Sequence, residues 1–453
     1  MSVSQTQPPV EGRESEVLQG ATAEVAPLGT PERKHDPYAA FRIPAYRLYI
    51  GSFVLAIMGS QTLSAAATYD VYAKTNSSLM VGMIGLANAI PLLTLAMPAG
   101  HVADTFSRKR VLILTQVVLV ACPLLLAFWH GLVTIFALLT VNAVALTFGR
   151  PARAAILPNL VPPGIFANAV TWNSSIFELA SSIAPALTGF IIAYFSTSAA
   201  YGFSAAAMAG CLLLTCFLPE VPSGGNTRPM SLQTLISGAQ FVLRNRLLLG
   251  PMLLDLLAVI FSGVVALLPA FADRLTDNPS DRALVFGWLM AAPSIGAVLM
   301  AVTQAHLPPF RRAGRVMLVA VAGYGLATIV FGLSGSFWLS FGMLVLTGVC
   351  DNLSVVVRHT LVQLATPDSM RGRVSAVNQI FIISSNELGK VESGVLAWLI
   401  GPVRAVVVGG VATLGVVGWA AKAFPELRRL GRLQDVRPAV GTGTPGAVVQ
   451  TGP

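Results

Sequence analysis

Charged residues are scarce in this chain. Only 11% of its 453 residues are Asp, Glu, Lys or Arg, whereas 54% are hydrophobic and the mean hydropathy is +0.71. A soluble domain carries about 25% charged residues. The composition therefore excludes a large soluble protein and indicates a polytopic membrane protein.

The chain also lacks the residue spacings that metal and catalytic sites require. Its four cysteines lie in apolar segments and match no metal-binding or redox spacing, so we interpret them as small packing residues. Its five histidines form no H-E-x-x-H motif, and the chain has neither a G-x-S-x-G elbow nor a G-x-x-x-x-G-K-[ST] nucleotide loop. We therefore expect no enzyme activity, no cofactor, no metal and no direct drive by ATP.

Long apolar runs divide the chain into candidate membrane spans. About twenty apolar residues cross roughly 30 Å of hydrocarbon, and runs of this length recur about twelve times. An even number of spans places both termini on the same side of the membrane. The predicted spans are 48–72, 79–99, 111–129, 132–152, 166–194, 198–218, 247–271, 284–305, 316–333, 337–362, 374–400 and 403–424.

The basic residues are distributed unevenly across the predicted membrane. Most of the 29 Lys and Arg lie on the side of the basic triplet at 108–110, which predicts that both termini are cytoplasmic. The high pI of about 9.7 thus reflects topology, and we expect no nucleic-acid partner. The exceptions are Lys74, Arg274, Arg282 and Arg404 on the opposite side, and Lys390 within a span.

The longest internal polar stretch, 220–246, separates the sixth and seventh spans. Loop-forming residues at 222–226 precede apolar residues at helical spacing from Leu232 to Leu243, which predicts an amphipathic helix on the membrane surface. The expected divisions are a disordered cytoplasmic tail at 1–44, a six-helix bundle at 45–219, a cytoplasmic linker at 220–246, a second six-helix bundle at 247–424 and a cytoplasmic tail at 425–453.

An internal repeat relates the two predicted bundles. Six spans recur in the same orientation, which predicts an all-α fold of two bundles related by an axis along the membrane normal. With an offset of 205 positions and no gap, the aligned pairs are Gly82 and Gly287, His101 and His306, Arg110 and Arg315, Arg153 and Arg358, Pro162 and Pro367, Asn173 and Asn378, Gly189 and Gly394, and Gly210 and Gly415.

A polar loop at 100–110 joins the second and third predicted spans. Its glycine permits two helix ends to approach closely, and its aspartate suits the positive N-terminal end of a neighbouring helix. The loop reads G-x-x-A-D-x-x-x-R-K-R, and it resembles the loop signature of the major facilitator superfamily, although Thr105 and Ser107 replace the usual base and glycine. The resemblance implies a conformational latch made of Gly100, Asp104, Arg108, Lys109 and Arg110.

Three further segments, 148–162, 366–374 and 385–389, look like the enterobactin-exporter-like branch of bacterial facilitators. This similarity extends from about Tyr46 to Leu430. It implies export of a small molecule by proton antiport across a bacterial-type plasma (inner) membrane, with the substrate, protons and the lipid bilayer as partners. We expect the protein to be a monomer.

Charged residues inside the predicted spans are few, and each costs roughly 2.5–3.5 kcal/mol unless it is paired, hydrated or neutralised. Asp70 is either a proton-coupling group among aromatic neighbours or a solvated helix end. Asp255, eight residues into the seventh span, is protonated, paired across the bundle or exposed to a cavity. The candidates for proton coupling are Asp70, Asp255, Glu178 and Glu392.

Other embedded polar residues are candidates for a substrate cavity. Asp351 and Arg358 share one face of the tenth span, where structural pairing and substrate contact are both open. Glu387 and Lys390 have the spacing of an intrahelical ion pair. An anionic substrate is compatible with the two arginines that end the fourth span. The cavity candidates are Asn173, Arg150, Arg153, Asp351, Arg358 and Glu387.

The sequence thus predicts a secondary transporter that exports a small amphiphilic organic molecule in exchange for protons, by alternating access. An uncoupled facilitator or importer is the first alternative. A transporter-like membrane sensor or lipid-handling protein is the second.

Overall fold

The computed structural model describes residues 36–220, 232–306, 310–367, 370–433 and 436. Within these ranges the protein is helical and contains no strand. The helices are α1 (Pro44–Thr75), α2 (Ser78–Thr105), α3 (Arg108–Phe128), α4 (Leu132–Leu160), α5 (Pro163–Tyr194), α6 (Thr197–Cys216), α7 (Leu232–Arg244), α8 (Arg246–Phe261), α9 (Leu268–Leu275), α10 (Arg282–His306), α11 (Ala313–Leu333), α12 (Phe337–Ala365), α13 (Arg371–Ile400), α14 (Pro402–Ala423) and α15 (Pro425–Arg429).

The predicted architecture of about twelve spans is confirmed, with two local differences. Eleven helical segments in the described ranges are long and apolar enough to cross a membrane. The twelfth is α13, which has 30 residues but is too polar to count by composition alone. The seventh span is split between α8 and α9 by a 3₁₀ turn at Val264–Leu267. At this break the backbone of Gly263 lies so close to the Gly389 carbonyl of α13 that a side chain would collide with it.

The two bundles meet through two helix pairs, α2 with α13 and α5 with α10. Gly82 of α2 lies against Gly394 of α13, and Gly287 of α10 lies against Gly189 of α5. A Cβ atom built on Gly394 would be 2.7 Å from Cα of Gly82, and one built on Gly287 would be 2.7 Å from Cα of Gly189. These are the glycines that the repeat aligns, so its symmetry appears in the fold as two equivalent backbone contacts between bundles.

Both glycine contacts lie toward the same end of the molecule. We call the end that carries the 105–108 connection the basic end, and the opposite end, which carries the 75–78 connection, the far end. Tyr69 packs on Phe286 and Phe190 packs on Trp288 near the glycine contacts, each with ring centroids 5.4 Å apart. The two bundles are therefore in direct contact at the far end.

Segments beyond the two bundles are more ordered than the sequence suggests. Nε1 of Trp172 donates to the Pro37 carbonyl at 2.8 Å, and Tyr38 stacks on the same indole at 5.7 Å. The expected tail at 1–44 is thus too long at its C-terminal end, while residues 1–35 lie outside the described ranges. At the other terminus, Leu427 and Leu430 are buried, and the amide of Ala313 donates to the Gly431 carbonyl at 3.0 Å. The second bundle therefore extends beyond 424, and residues 437–453 are not described.

The linker contains a helix where the apolar periodicity predicts one. This helix, α7, packs on α8 and α13. A Cβ atom built on Gly238 would be 2.9 Å from the Arg373 carbonyl, which shows how closely α7 approaches α13. Its position on the membrane surface stays a prediction, and residues 221–231 lie outside the described ranges.

Replacing Gly287 by valine should disturb the contact between α5 and α10. We expect overpacking to destabilise the closed arrangement by about 1–3 kcal/mol, seen as a lower unfolding temperature of the purified protein in a thiol-reactive dye assay. The matched control is Gly202→Val on α6, where an added Cβ meets nothing within 4 Å. Equal unfolding temperatures for the two variants would contradict the importance of this glycine contact.

Candidate functional site

A cavity of about 140 Å³ lies between α1, α2, α4 and α13, so both bundles contribute to its wall. Leucine, isoleucine and alanine side chains cover part of the wall. Two bases and one carboxylate give the lining a net positive charge. The polar lining residues are Ser60, Gln61, Ser64, Asn88, Asn142, Thr147, Arg150, Glu387 and Lys390.

Helical periodicity brings these side chains to one surface. Ser60 and Ser64 are one turn apart on α1, and Ala143, Thr147 and Arg150 follow one another along α4 at spacings of four and three residues. Of the polar lining residues, the sequence predicts Arg150 and Glu387 as cavity residues and Lys390 as an ion-pair partner, and it misses the amides Asn88 and Asn142 and the residues Ser60, Gln61, Ser64 and Thr147. The sequence does carry a signal for Asn88 and Asn142: each is a polar amide on an otherwise apolar helix, on the same face as small or hydroxyl-bearing residues.

Glu387 connects the two bundles inside this cavity. Lys390 Nζ lies 3.0 Å from Glu387 Oε1, as the spacing of these residues on α13 predicts. Asn88 Nδ2, on α2 of the other bundle, donates to Glu387 Oε2 at 3.3 Å. Both charged side chains remain partly accessible, so this carboxylate is held by neighbours and also reachable from the cavity.

Asp255 forms an ion pair with Arg358 inside the second bundle, between α8 and α12. The two residues are 6% and 3% exposed, and neither lines the cavity. Of the alternatives for Asp255, pairing across the bundle is the one found. Arg358 Nη1 donates to Asp255 Oδ2, so the ion-pair partner of Arg358 is on α8, and the role of Asp351, which is exposed, stays a prediction. The packing of α8 against α12 decides this choice.

Asp70 is also paired away from the cavity. It is only 4% exposed, which excludes a solvated helix end. Lys74 Nζ lies 2.7 Å from Asp70 Oδ1, and the Tyr201 hydroxyl donates to Asp70 Oδ2 at 3.2 Å. Lys74 also donates to the carbonyl of His130. The cluster joins α1, α6 and the connection between α3 and α4 at the far end, and a proton-coupling role for Asp70 stays a prediction.

Glu392 and Asn173 are not among the described residues that line the cavity. Glu392 Oε2 accepts a hydrogen bond from the Ser393 hydroxyl at 3.2 Å. Asn173 has a buried Oδ1 atom without a hydrogen-bond partner in the described structure. Glu178 lies on α5, but its side chain is outside the described part, so its predicted role is untested.

The basic loop is shorter than the sequence suggests, because α2 continues to Thr105 and α3 begins at Arg108. Nη1 of Arg108 donates to the Ala155 carbonyl of α4 at 3.1 Å, and Lys109 Nζ donates to the Leu218 carbonyl at 2.6 Å. These two bases thus join helix ends within the first bundle.

The other predicted latch residues of this loop are Gly100, Asp104 and Arg110. A Cβ atom built on Gly100 would meet nothing within 4 Å, so the expected close helix approach at this glycine is wrong. Close backbone approach occurs at other glycines, including the far-end pairs. The Asp104 side chain lies outside the described part, Arg110 is exposed, and a latch function for the loop stays a prediction.

Arg153 lies one turn beyond Arg150 on α4. Its guanidinium is 6.0 Å from the centroid of the Phe53 ring, and its Nη2 atom donates to Cys211 Sγ at 3.3 Å. Gln116 Nε2 donates to the same sulfur at 3.2 Å. Cys211 therefore accepts two polar contacts, a role that its interpretation as a packing residue missed.

A family model described as transmembrane secretion effector matches residues 35–433. The chain belongs to this family of major facilitator transporters. It is thus a multi-pass membrane transporter, and the resemblance predicted from the basic loop and the three further segments is confirmed.

Named relatives and solved structures agree with this assignment. The enterobactin exporter of Shigella boydii serotype 4 is 27% identical over 391 residues, which cover 85% of this chain and 93% of that exporter, and the enterobactin exporter of Escherichia coli O1:K1 has the same identity and coverage. A bacterial homologue of the human lysosomal transporter Spinster, inward-facing and unoccupied, superposes with a TM-score of 0.67 at 14% identity, covering 85% of this chain and 98% of that one. The nucleoside transporter NupG gives 0.65 at 14% identity, with 85% and 99% covered.

Breaking the buried ion pair of this transporter should destabilise it. We expect Asp255→Asn to lower stability by about 3–5 kcal/mol, because Arg358 keeps an uncompensated charge. The double variant Asp255→Leu with Arg358→Met should lose much less. Unfolding temperatures in detergent measure both effects, with Asp277→Asn as a control at an exposed carboxylate. If the double variant were as unstable as Asp255→Asn, the uncompensated charge of Arg358 would not be the cause of the instability.

Proposed function

We propose that this transporter exports a small amphiphilic organic molecule in exchange for protons, by alternating access of one cavity to the two sides of the membrane. The observation that carries the proposal is the cavity itself. It is built from both bundles and contains a hydrogen-bonded carboxylate, and it lies beside two helix pairs that each include a close glycine-to-glycine backbone contact. Movement of one bundle against the other would change access to it.

The proposed resting conformation faces the cytoplasm. The bundles touch at the far end, and the positive-inside rule assigns the basic end to the cytoplasm. Arg150, toward the basic end of the cavity, is exposed. A cytoplasmic substrate would therefore enter from the basic end, and separation of the far-end glycines would release it on the other side.

The cavity chemistry supports an amphiphilic substrate. Its wall combines apolar side chains with hydroxyl, amide and charged groups, a mixture typical of organic-ligand sites. A volume of about 140 Å³ is less than the about 300–1,000 Å³ of a typical ligand pocket, so binding requires the bundles to separate further. The relatives named enterobactin exporters support a siderophore-type or drug-type molecule.

Glu387 is the carboxylate best placed for proton coupling in the described part of the cavity. Asp70 and Asp255 are each neutralised by an adjacent base away from the cavity. When ionised, Glu387 can accept hydrogen bonds from hydroxyl or amide donors of the substrate. A proton on the same oxygen removes that acceptor, so proton and substrate would exclude each other, as antiport requires.

Glu387→Gln should abolish the use of the proton gradient. We expect inside-out vesicles with an acidic lumen to accumulate substrate when they carry the wild-type transporter and not when they carry Glu387→Gln, while exchange of labelled for unlabelled substrate persists. Substrates are found with a panel of siderophores, dyes and antibiotics. The control is Asp277→Asn, which should accumulate substrate normally.

Three outcomes would contradict this proposal in different ways. Gradient-driven accumulation by Glu387→Gln would exclude Glu387 as the coupling site. Wild-type transport that ignores the gradient would indicate an uncoupled facilitator. Ligand binding without any exchange would indicate a sensor or lipid-handling protein.

The proposed orientation can be tested with two matched cysteine substitutions. Phe106, at the basic end, is 58% exposed, and Phe195, at the far end, is 79% exposed. In a background lacking the four native cysteines, a membrane-impermeant maleimide should label Phe195→Cys in intact cells and Phe106→Cys only in inside-out vesicles. The reverse labelling would overturn the cytoplasmic assignment of the basic end.

A further inference from the structure

The repeat places an arginine at equivalent positions in the two bundles, but their surroundings differ. Arg358 of the second bundle is neutralised by Asp255 on α8. Arg153, its counterpart, faces the ring of Phe53 on α1, and α1 is the counterpart of α8 and α9. Where the second bundle has a carboxylate against its arginine, the first bundle has an aromatic ring.

The charge of Arg153 is incompletely compensated. Arg153 forms no ion pair with the residues that the structure describes, and its single polar contact there is the weak acceptor Cys211 Sγ. Its Nη1 atom is buried and has no hydrogen-bond partner among those residues. An arginine in a membrane span whose N–H groups lack an oxygen acceptor is costly unless a ligand supplies one.

Arg153 and Phe53 lie on two of the helices that line the cavity, beyond its described lining residues. Phe53 precedes Ser60 by seven residues on α1, so the two share a face about two turns apart, and Arg153 follows Arg150 by one turn on α4. Helical spacing therefore places both on the helix faces that line the cavity, nearer to the basic end. The ring of Phe177 on α5 stacks against Phe53 at 6.5 Å and is largely exposed.

We infer that Arg153 and Phe53 form a subsite for an aromatic organic anion, with an anionic oxygen of the ligand accepting from Arg153 Nη1 and its ring packing on Phe53 and Phe177. This inference rests on the proposed transport function and specifies the class of substrate. A guanidinium with a free N–H edge beside aromatic faces binds a planar acid through charge-assisted hydrogen bonds and stacking together. An aliphatic acid would make only the charge-assisted hydrogen bonds, and a neutral aromatic molecule would make only the stacking contact.

The second bundle suggests a direct test of this subsite. Phe53→Asp gives Arg153 the carboxylate that Arg358 already has, so an internal ion pair should replace the ligand. Phe53→Leu is the matched control, because it removes the ring without adding charge. Arg153→Gln removes the guanidinium. Unfolding temperature and exchange of a neutral substrate verify that each variant is folded.

The probes are 2-naphthoate, its neutral analogue 2-naphthamide, and decanoate, with dissociation constants measured by calorimetry on the full-length purified transporter. We expect the wild type to prefer 2-naphthoate over both other probes. Phe53→Asp and Arg153→Gln should each weaken 2-naphthoate binding by at least about tenfold, as for a lost charge-assisted hydrogen bond. Phe53→Leu should weaken it less, and 2-naphthamide binding should be the same in Phe53→Asp as in Phe53→Leu.

Unchanged 2-naphthoate binding in Phe53→Asp would overturn the inference, and so would equal wild-type affinity for the acid and the amide. Equal affinity for decanoate would exclude the aromatic part. Each of these results can occur while gradient-driven transport persists, in which case the subsite fails and the proposed function stands. If the wild type prefers 2-naphthoate but shows no gradient-driven transport, the proposed proton coupling is rejected and the aromatic-anion subsite stands.

Discussion

The cost of placing charge in hydrocarbon constrains the polar interior of this transporter. Asp255 and Arg358 neutralise each other in the second bundle, Asp70 and Lys74 do so at the far end of the first, and Glu387 and Lys390 do so between the bundles. Only the third pair lines the cavity. The first two pairs therefore lie away from the cavity, and the third lies at its wall, where the proposed function has proton and substrate exclude each other.

Local patterns in the sequence predicted much of this arrangement. Run length gave about twelve spans because hydrocarbon thickness sets helix length, and the gapless repeat gave two equivalent bundles. The repeat also aligned Gly82 with Gly287 and Gly189 with Gly394, the glycines that meet between bundles. The pair of Glu387 and Lys390 was predictable because both residues lie on one helix, where spacing alone sets their distance.

Contacts between distant segments were less predictable. Arg358 pairs with a residue 103 positions away, although Asp351 is two turns from it on its own helix, because the packing of α8 against α12 presents Asp255 to its guanidinium. Gly100 belongs to a recognisable motif, yet the close helix contacts occur elsewhere. The break between α8 and α9 coincides with a close backbone contact to α13, which a hydropathy profile does not show. In each case the deciding partner is remote in sequence.

The backbone contacts at Gly82 and Gly189 have an energetic consequence for the transport cycle. At these glycines the two backbones adhere through dispersion and weak Cα–H···O interactions, which are short-ranged and tolerate sliding. The directional bond from Asn88 to Glu387 lies on one of the two seams, at the wall of the cavity. In the proposed alternating-access cycle, seams of this kind would keep the free-energy difference between the two conformations small, so that binding of a single proton or a single cargo molecule would reverse it.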